Sequence, residues 1–143
     1  MATLRSVLFA AMLVVAAVAR ADAPDRSGAH GFDFLFGDWR VHHRLMRANG
    51  VALRAYDAVQ DHWSIWWLDS RYPSGPLPAP NVGRFENGVG MFYADLTDNG
   101  KTIRSRLQWS DITATSARWE QAYSYEGGKT WDTNWIMTLE RRS

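Results

Sequence analysis

VGMFYADLTDNGKTIRSRLQWS, residues 89–110, decides the fold class. Two alternating segments flank Asp98-Asn99-Gly100. Asn-Gly accepts positive φ at both central positions of a type I′ turn, which makes it the strongest short hairpin signal. In the second segment Ile103, Leu107 and Trp109 alternate with Arg104, Arg106 and Gln108. One face is therefore core and the other solvent, as in a half-buried strand.

The same grammar extends outward in both directions. Asn49-Gly50 and Asn87-Gly88 are further hairpin signals, and eight tryptophans are spread over most of the chain, from Trp39 to Trp135. Trp39, Val41, His43 and Leu45 share one parity, with Arg40, His42 and Arg44 on the other. Strands are predicted near Trp39–Leu45, Val51–Ala58, His62–Asp69, Val89–Leu96, Ile103–Asp111, Ala117–Tyr125 and Thr133–Arg141. Trp66 and Trp67 are adjacent, so one ring should face in and the other out. Phe32-Asp-Phe-Leu-Phe36 reads as a short helical turn plugging one end. Tyr72–Gly83 carries Pro73, Pro76, Pro78 and Pro80. Proline cannot donate to a ladder, so this stretch is read as a loop lying over a barrel mouth. The expectation is an all-β, antiparallel up-and-down barrel of about seven strands.

The start of the chain has the form of a secretory signal. Arg5 supplies positive charge, Val7 to Val18 is apolar, and Ala19-Arg20-Ala21 offers a small-x-small cleavage site. The apolar run is well short of the roughly 20 residues that span a bilayer. Residues 1–21 are thus expected to be a signal helix, 22–31 a flexible lead-in and 32–143 one barrel domain, secreted or periplasmic. Loss of Arg5 and Arg20 lowers the 16 basic residues to 14 against 15 acidic ones. No polybasic block remains, so nucleic acid is not an expected partner, nor is a membrane once the signal is gone. The absence of cysteine excludes thiol catalysis, thiolate metal sites and disulfides.

Gly37-Asp38-Trp39, preceded by an apolar turn, resembles the Gly-x-Trp opening of lipocalin-like barrels. In that superfamily a basic residue of the last strand covers the tryptophan, and Arg141, sharing parity with Trp135, Met137 and Leu139, is the candidate. Gly37, Trp39 and Arg141 are accordingly expected to be structural. Ser124-Tyr-Glu-Gly-Gly-Lys-Thr-Trp131 resembles the Asp-box hairpin of sialidases, a fold element remote from their chemistry.

Longer stretches resemble a bacterial family catalogued as domain of unknown function 1579. They are the segment from Phe32 to Arg44, Trp63-Ser-Ile-Trp-Trp-Leu-Asp69, Gly83-Arg-Phe-Glu-Asn-Gly-Val-Gly90, and Trp109 through Ala122 on to Trp131. The resemblance implies a lipocalin (calycin)-like barrel and brings no catalytic residues with it. This chain is shorter than the family pattern after its first strand, with only Leu45 to Ala52 as the bridge. A barrel of eight strands has just enough interior for side chains or one ligand. The shortening therefore predicts incomplete closure or a small cavity, and an exposed edge.

No nucleophile elbow, phosphate loop or metal-ligand set occurs, and no cofactor is implied. Adjacent His42 and His43 point to opposite faces, leaving His43 as the inward polar group. The expected job is to hold a small apolar or aromatic ligand among His43, Tyr93, Trp109, Trp119, Tyr123 and Trp135. Two alternatives stand beside it. One is an enzyme using His43 with Asp69 or Glu120, and the other is a structural or interaction module with a filled interior.

Overall fold

The Asn-Gly pairs behave as their chemistry requires. Asn87 and Gly88 have φ of 52° and 80°, and Asn99 and Gly100 have 49° and 76°. Each pair forms a two-residue loop, joining Glu86 to Val89 and Asp98 to Lys101. The computed structural model describes residues 27–44 and 50–142. The expected signal helix, residues 22–26 of the lead-in and the Asn49 half of the first Asn-Gly turn lie outside the described residues.

Eight antiparallel strands make one sheet, curled into a half-barrel. They are β1 (Trp39–Arg44), β2 (Gly50–Asp57), β3 (His62–Asp69), β4 (Asn81–Glu86), β5 (Val89–Asp98), β6 (Lys101–Ser110), β7 (Ser116–Ser124) and β8 (Asp132–Arg141). Their order is β1-β8-β7-β6-β5-β4-β3-β2, so the meander runs from β2 to β8 and β1 closes back on the last strand. Strands β1 and β2 are the two edges, with no ladder between them among the described residues.

The strand count corrects the expected seven. Asn81-Val-Gly-Arg-Phe-Glu86 is the additional strand, pairing Trp63–Ile65 on one side and Tyr93–Val89 on the other. The proline-rich loop therefore ends at Pro80. Strand β4 is short and begins directly after prolines, which hides its alternation.

Local side-chain bonds set the remaining corners. Asp57 accepts the backbone N–H groups of Val59 and Gln60, turning β2 into β3. Thr113 Oγ1 accepts those of Thr115 and Ser116 ahead of β7. Ser124 Oγ accepts the N–H groups of Glu126 and Gly128, while Thr130 Oγ1 donates to Glu126. The Asp-box-like segment is thus the β7–β8 hairpin turn. Such bonds replace the ladder partners that the chain gives up at a turn.

A bulge at Asn134 lies opposite the Gln121/Ala122 step. It turns Trp135 to the inner face while Thr133 stays outside, where it donates to Glu120. One extra residue on one strand shifts the alternation of everything after it.

The plug is a single 3-10 turn, Asp33–Leu35. Phe32 meets Trp63 and Phe85 edge-on, each at 5.0 Å, and stacks on Phe92 at 5.6 Å. Phe34 meets Trp109 edge-on at 5.2 Å. Edge-to-face contact is the favoured geometry of aromatic quadrupoles. The densest part of the core therefore sits at the plugged end.

Candidate ligand cavity

Alternation sends Trp67, Trp109, Trp119 and Trp135 to the concave face. Trp135 is 3% exposed and meets Trp67 and Trp119 edge-on, at 5.4 and 5.0 Å. With Leu107, Met137 and Leu139 these rings wall a cavity of about 920 Å³. Leu35 of the plug lines it, and at the opposite end so do Tyr72, Pro76 and Leu77 of the proline-rich loop. The loop thus covers one end of the chamber. Val41 on β1 and Ala52 on β2 also line it, so both edge strands border the same space.

Some polar groups in this wall bond one another, while the indole N–H groups of Trp67 and Trp109 are buried with no partner among the described residues. Asn81 Nδ2 donates to Ser105 Oγ at 3.2 Å, and Gln121 Nε2 donates to the Tyr123 hydroxyl at 2.7 Å. Burial pushes the Tyr123 phenol upward, so it remains a neutral hydroxyl. At the loop's root Arg71 Nε donates to both Asp69 oxygens, at 2.9 and 3.0 Å. Those bonds hold the Asp69 carboxyl down at about 2.

Trp109, Trp119, Tyr123 and Trp135 all line the chamber. His43 has the inward parity of β1 but is exposed, because β1 is an edge strand. Its Nδ1 accepts the indole N–H of Trp135 at 3.1 Å, and the rings stack at 5.7 Å. Neither Asp69 nor Glu120 reaches His43: Asp69 is taken by Arg71. Glu120 sits on the convex face, bonded by Arg106, Arg118 and Thr133. Among the described residues no group of histidines and carboxylates is placed to hold a metal ion.

Tyr93 is on the wrong side for the expected pocket. It pairs in register with Arg106 on the convex face, beside Trp131 at 6.1 Å and the Arg104 guanidinium at 5.3 Å. Val89, Met91 and Tyr93 look as apolar as Gly90, Phe92 and Ala94. Packing decides between the two faces. A Cβ on Gly90 would stand 2.6 Å from the Phe85 ring, so Gly90 is the hollow that receives Phe85.

Gly37, Trp39 and Arg141 meet at the plugged end. Trp39 pairs in register with Arg141, whose guanidinium lies 4.3 Å from the indole centroid. It donates to the carbonyls of Phe34, Phe36 and Ala114. Gly37 has φ of 102°, and a Cβ there would stand 2.7 Å from Arg141 Nη1.

Arg54 is a cavity residue that sequence reasoning missed. Leu53-Arg54 on an edge strand invites the reading of Leu inside and Arg outside; the reverse holds. Leu53 is 51% exposed, and Arg54 pairs in register with buried Ile65 and lines the chamber. The available signal was Tyr56, which shares the parity of Arg54 and whose register partner Trp63 packs on the plug.

In comparisons with known proteins, no family model, no curated protein and no solved structure matches this chain, so its function is read from the chamber itself.

Proposed function

We propose that the protein is an exported, lipocalin-like barrel that holds one small apolar or aromatic molecule inside its curl. The carrying observation is the chamber of about 920 Å³ walled by Trp67, Trp109, Trp119 and Trp135. Ligand sites typically occupy about 300–1,000 Å³, lined mainly by apolar and aromatic groups with few polar ones. The lipocalin-like assignment draws support from the plug, the up-and-down order and the cation over the Gly-x-Trp indole. Membership of the family catalogued as domain of unknown function 1579 belongs to the same proposal. Export rests on the leader pattern of residues 1–21.

Titration of the purified protein with a neutral hydrophobic dye tests the binding role. Saturable one-to-one binding with quenching of tryptophan emission is expected. Ala52→Trp, which fills space at the edge of the chamber, should weaken it. Binding that never saturates, or that ignores Ala52→Trp, removes the proposed job. Export is checked by the N-terminus of protein recovered from outside the cytoplasm, expected at Asp22.

A further inference from the structure

The charges of the chamber do not cancel. Among the described residues three charged side chains line it: Arg54, Asp69 and Arg71. Asp69 and Arg71 neutralise one another at the loop. Arg54 lies four residues along β2 from Gly50, the residue opposite Asp69, and so sits deeper, toward the plug. Its guanidinium stands 4.9 Å from the centroid of the Phe32 ring. Among the described residues it makes no ion pair, and its Nε is buried with no hydrogen-bond partner. The Asp61 carboxylate is bonded by Tyr56, two residues along β2, and by Arg84.

An arginine cannot relieve burial by shedding its proton at ordinary pH. A desolvated cation without a counter-charge is costly, so such groups are normally paired. Phe32 compensates in part, through its ring face. Burial pushes the guanidinium below its usual value. The missing partner is an anion, and the surroundings say what else that anion carries. The large surfaces beyond Arg54 are mostly aromatic or aliphatic, from Trp67, Trp109, Trp119, Trp135, Leu107 and Leu139.

We infer that Arg54 anchors the head group of the ligand, and that the ligand class is an apolar or aromatic monoanion, with a carboxylate on Arg54 and a ring system among the tryptophans. One uncompensated positive charge matches one negative charge, and a guanidinium fork suits a planar carboxylate. This inference rests on the binding role proposed above and adds to it the chemistry of the ligand.

The test compares three compounds with one ring system and different heads: naphthylacetate, naphthylethanol and naphthylethylammonium. Calorimetric titration of the full chain at neutral pH should rank the acid first, about 10- to 100-fold tighter than the alcohol, with the amine weakest. That range is the usual worth of a hydrogen bond to a charged group. Added salt should weaken only the acid. Arg54→Met keeps the bulk and removes the charge, so the acid should lose its advantage and bind no tighter than the alcohol. Arg54→Lys should restore part of the preference.

Equal binding of acid and alcohol by the unaltered protein overturns the inference and leaves the binding role standing. So does a preference that survives Arg54→Met. Failure of all three compounds to bind overturns both. The comparison within the unaltered protein decides the matter even if Arg54→Met does not fold.

Discussion

Arg141 spans the plugged end of the sheet, its guanidinium 4.3 Å from the Trp39 indole centroid and bonded to three carbonyl oxygens. Those carbonyls belong to the plug, the segment before Gly37 and the β6–β7 corner, so one side chain ties three pieces of chain together. Arg141→Met should cost about 1–3 kcal/mol, from the cation–π contact and the charged hydrogen bonds in a partly exposed setting. Denaturant unfolding followed by tryptophan emission measures it.

Gly37→Ala should destabilise by about 1–3 kcal/mol, because its backbone is left-handed and the new methyl meets Arg141 Nη1. In the double variant with Arg141→Met the clash term disappears, so the two losses should add to less than their sum. Strict additivity in the cycle would show that the two residues do not touch.

Asp69 makes the mouth of the chamber pH-sensitive. Its folded value, about 2, is below the ordinary aspartate range near 4 because Arg71 bonds the ionised form. The carboxylate–guanidinium contact is therefore fully present above about pH 4 and is lost as pH falls toward 2. Carboxyl-carbon NMR should give Asp69 a midpoint well under that of exposed aspartates. Asp69→Asn should loosen the loop of residues 70–80 already at neutral pH, seen as faster amide exchange there.

Glu120 joins three strands on the convex face. Desolvation alone would raise its carboxyl; bonds from Arg118 and Thr133, with the charges of Arg118 and Arg106, outweigh it and hold the group below its usual value. Glu120→Gln should cost about 1–2 kcal/mol at neutral pH, since it weakens charged hydrogen bonds to two arginines. The difference between the variant and the unaltered protein should shrink as acid protonates Glu120. A difference that is flat from pH 7 to pH 3 would assign the loss to shape instead.

Tyr93 and Tyr123 offer a direct check of which face is the inside. Tyr93→Leu should leave binding of a neutral hydrophobic probe unchanged, because Tyr93 packs outside with Trp131. Tyr123→Leu should alter it, because Tyr123 lines the chamber. Parallel probe titrations of the two variants decide it.

Hairpins were the most readable part of this protein, for a local reason. Asn99-Gly100 and Asn87-Gly88 dictate backbone dihedrals by themselves, and Thr113 and Ser124 bond their own neighbours. Strand β4 escaped although Asn87-Gly88 implied a strand on each side of it. Six residues after a run of prolines carry too little alternation to announce themselves. The tryptophan walls were legible because Trp109 and Trp119 stand between clearly polar neighbours, Gln108 and Ser110, and Arg118 and Glu120.

Composition and period alone settled that the chain would be antiparallel β with an indole-lined concave face. Turn dihedrals and side-chain alternation are properties of a few consecutive residues. Tertiary structure alone decided that Tyr93 faces outward and that, among the described residues, β1 and β2 leave an unpaired seam and Arg54 stands inside without a counter-ion. Each depends on residues distant in sequence: Phe85 filling the hollow at Gly90, β1 pairing with β8, and Phe32 lying beneath a guanidinium. Local period states that two faces exist; only packing across the sheet states which of them is dry.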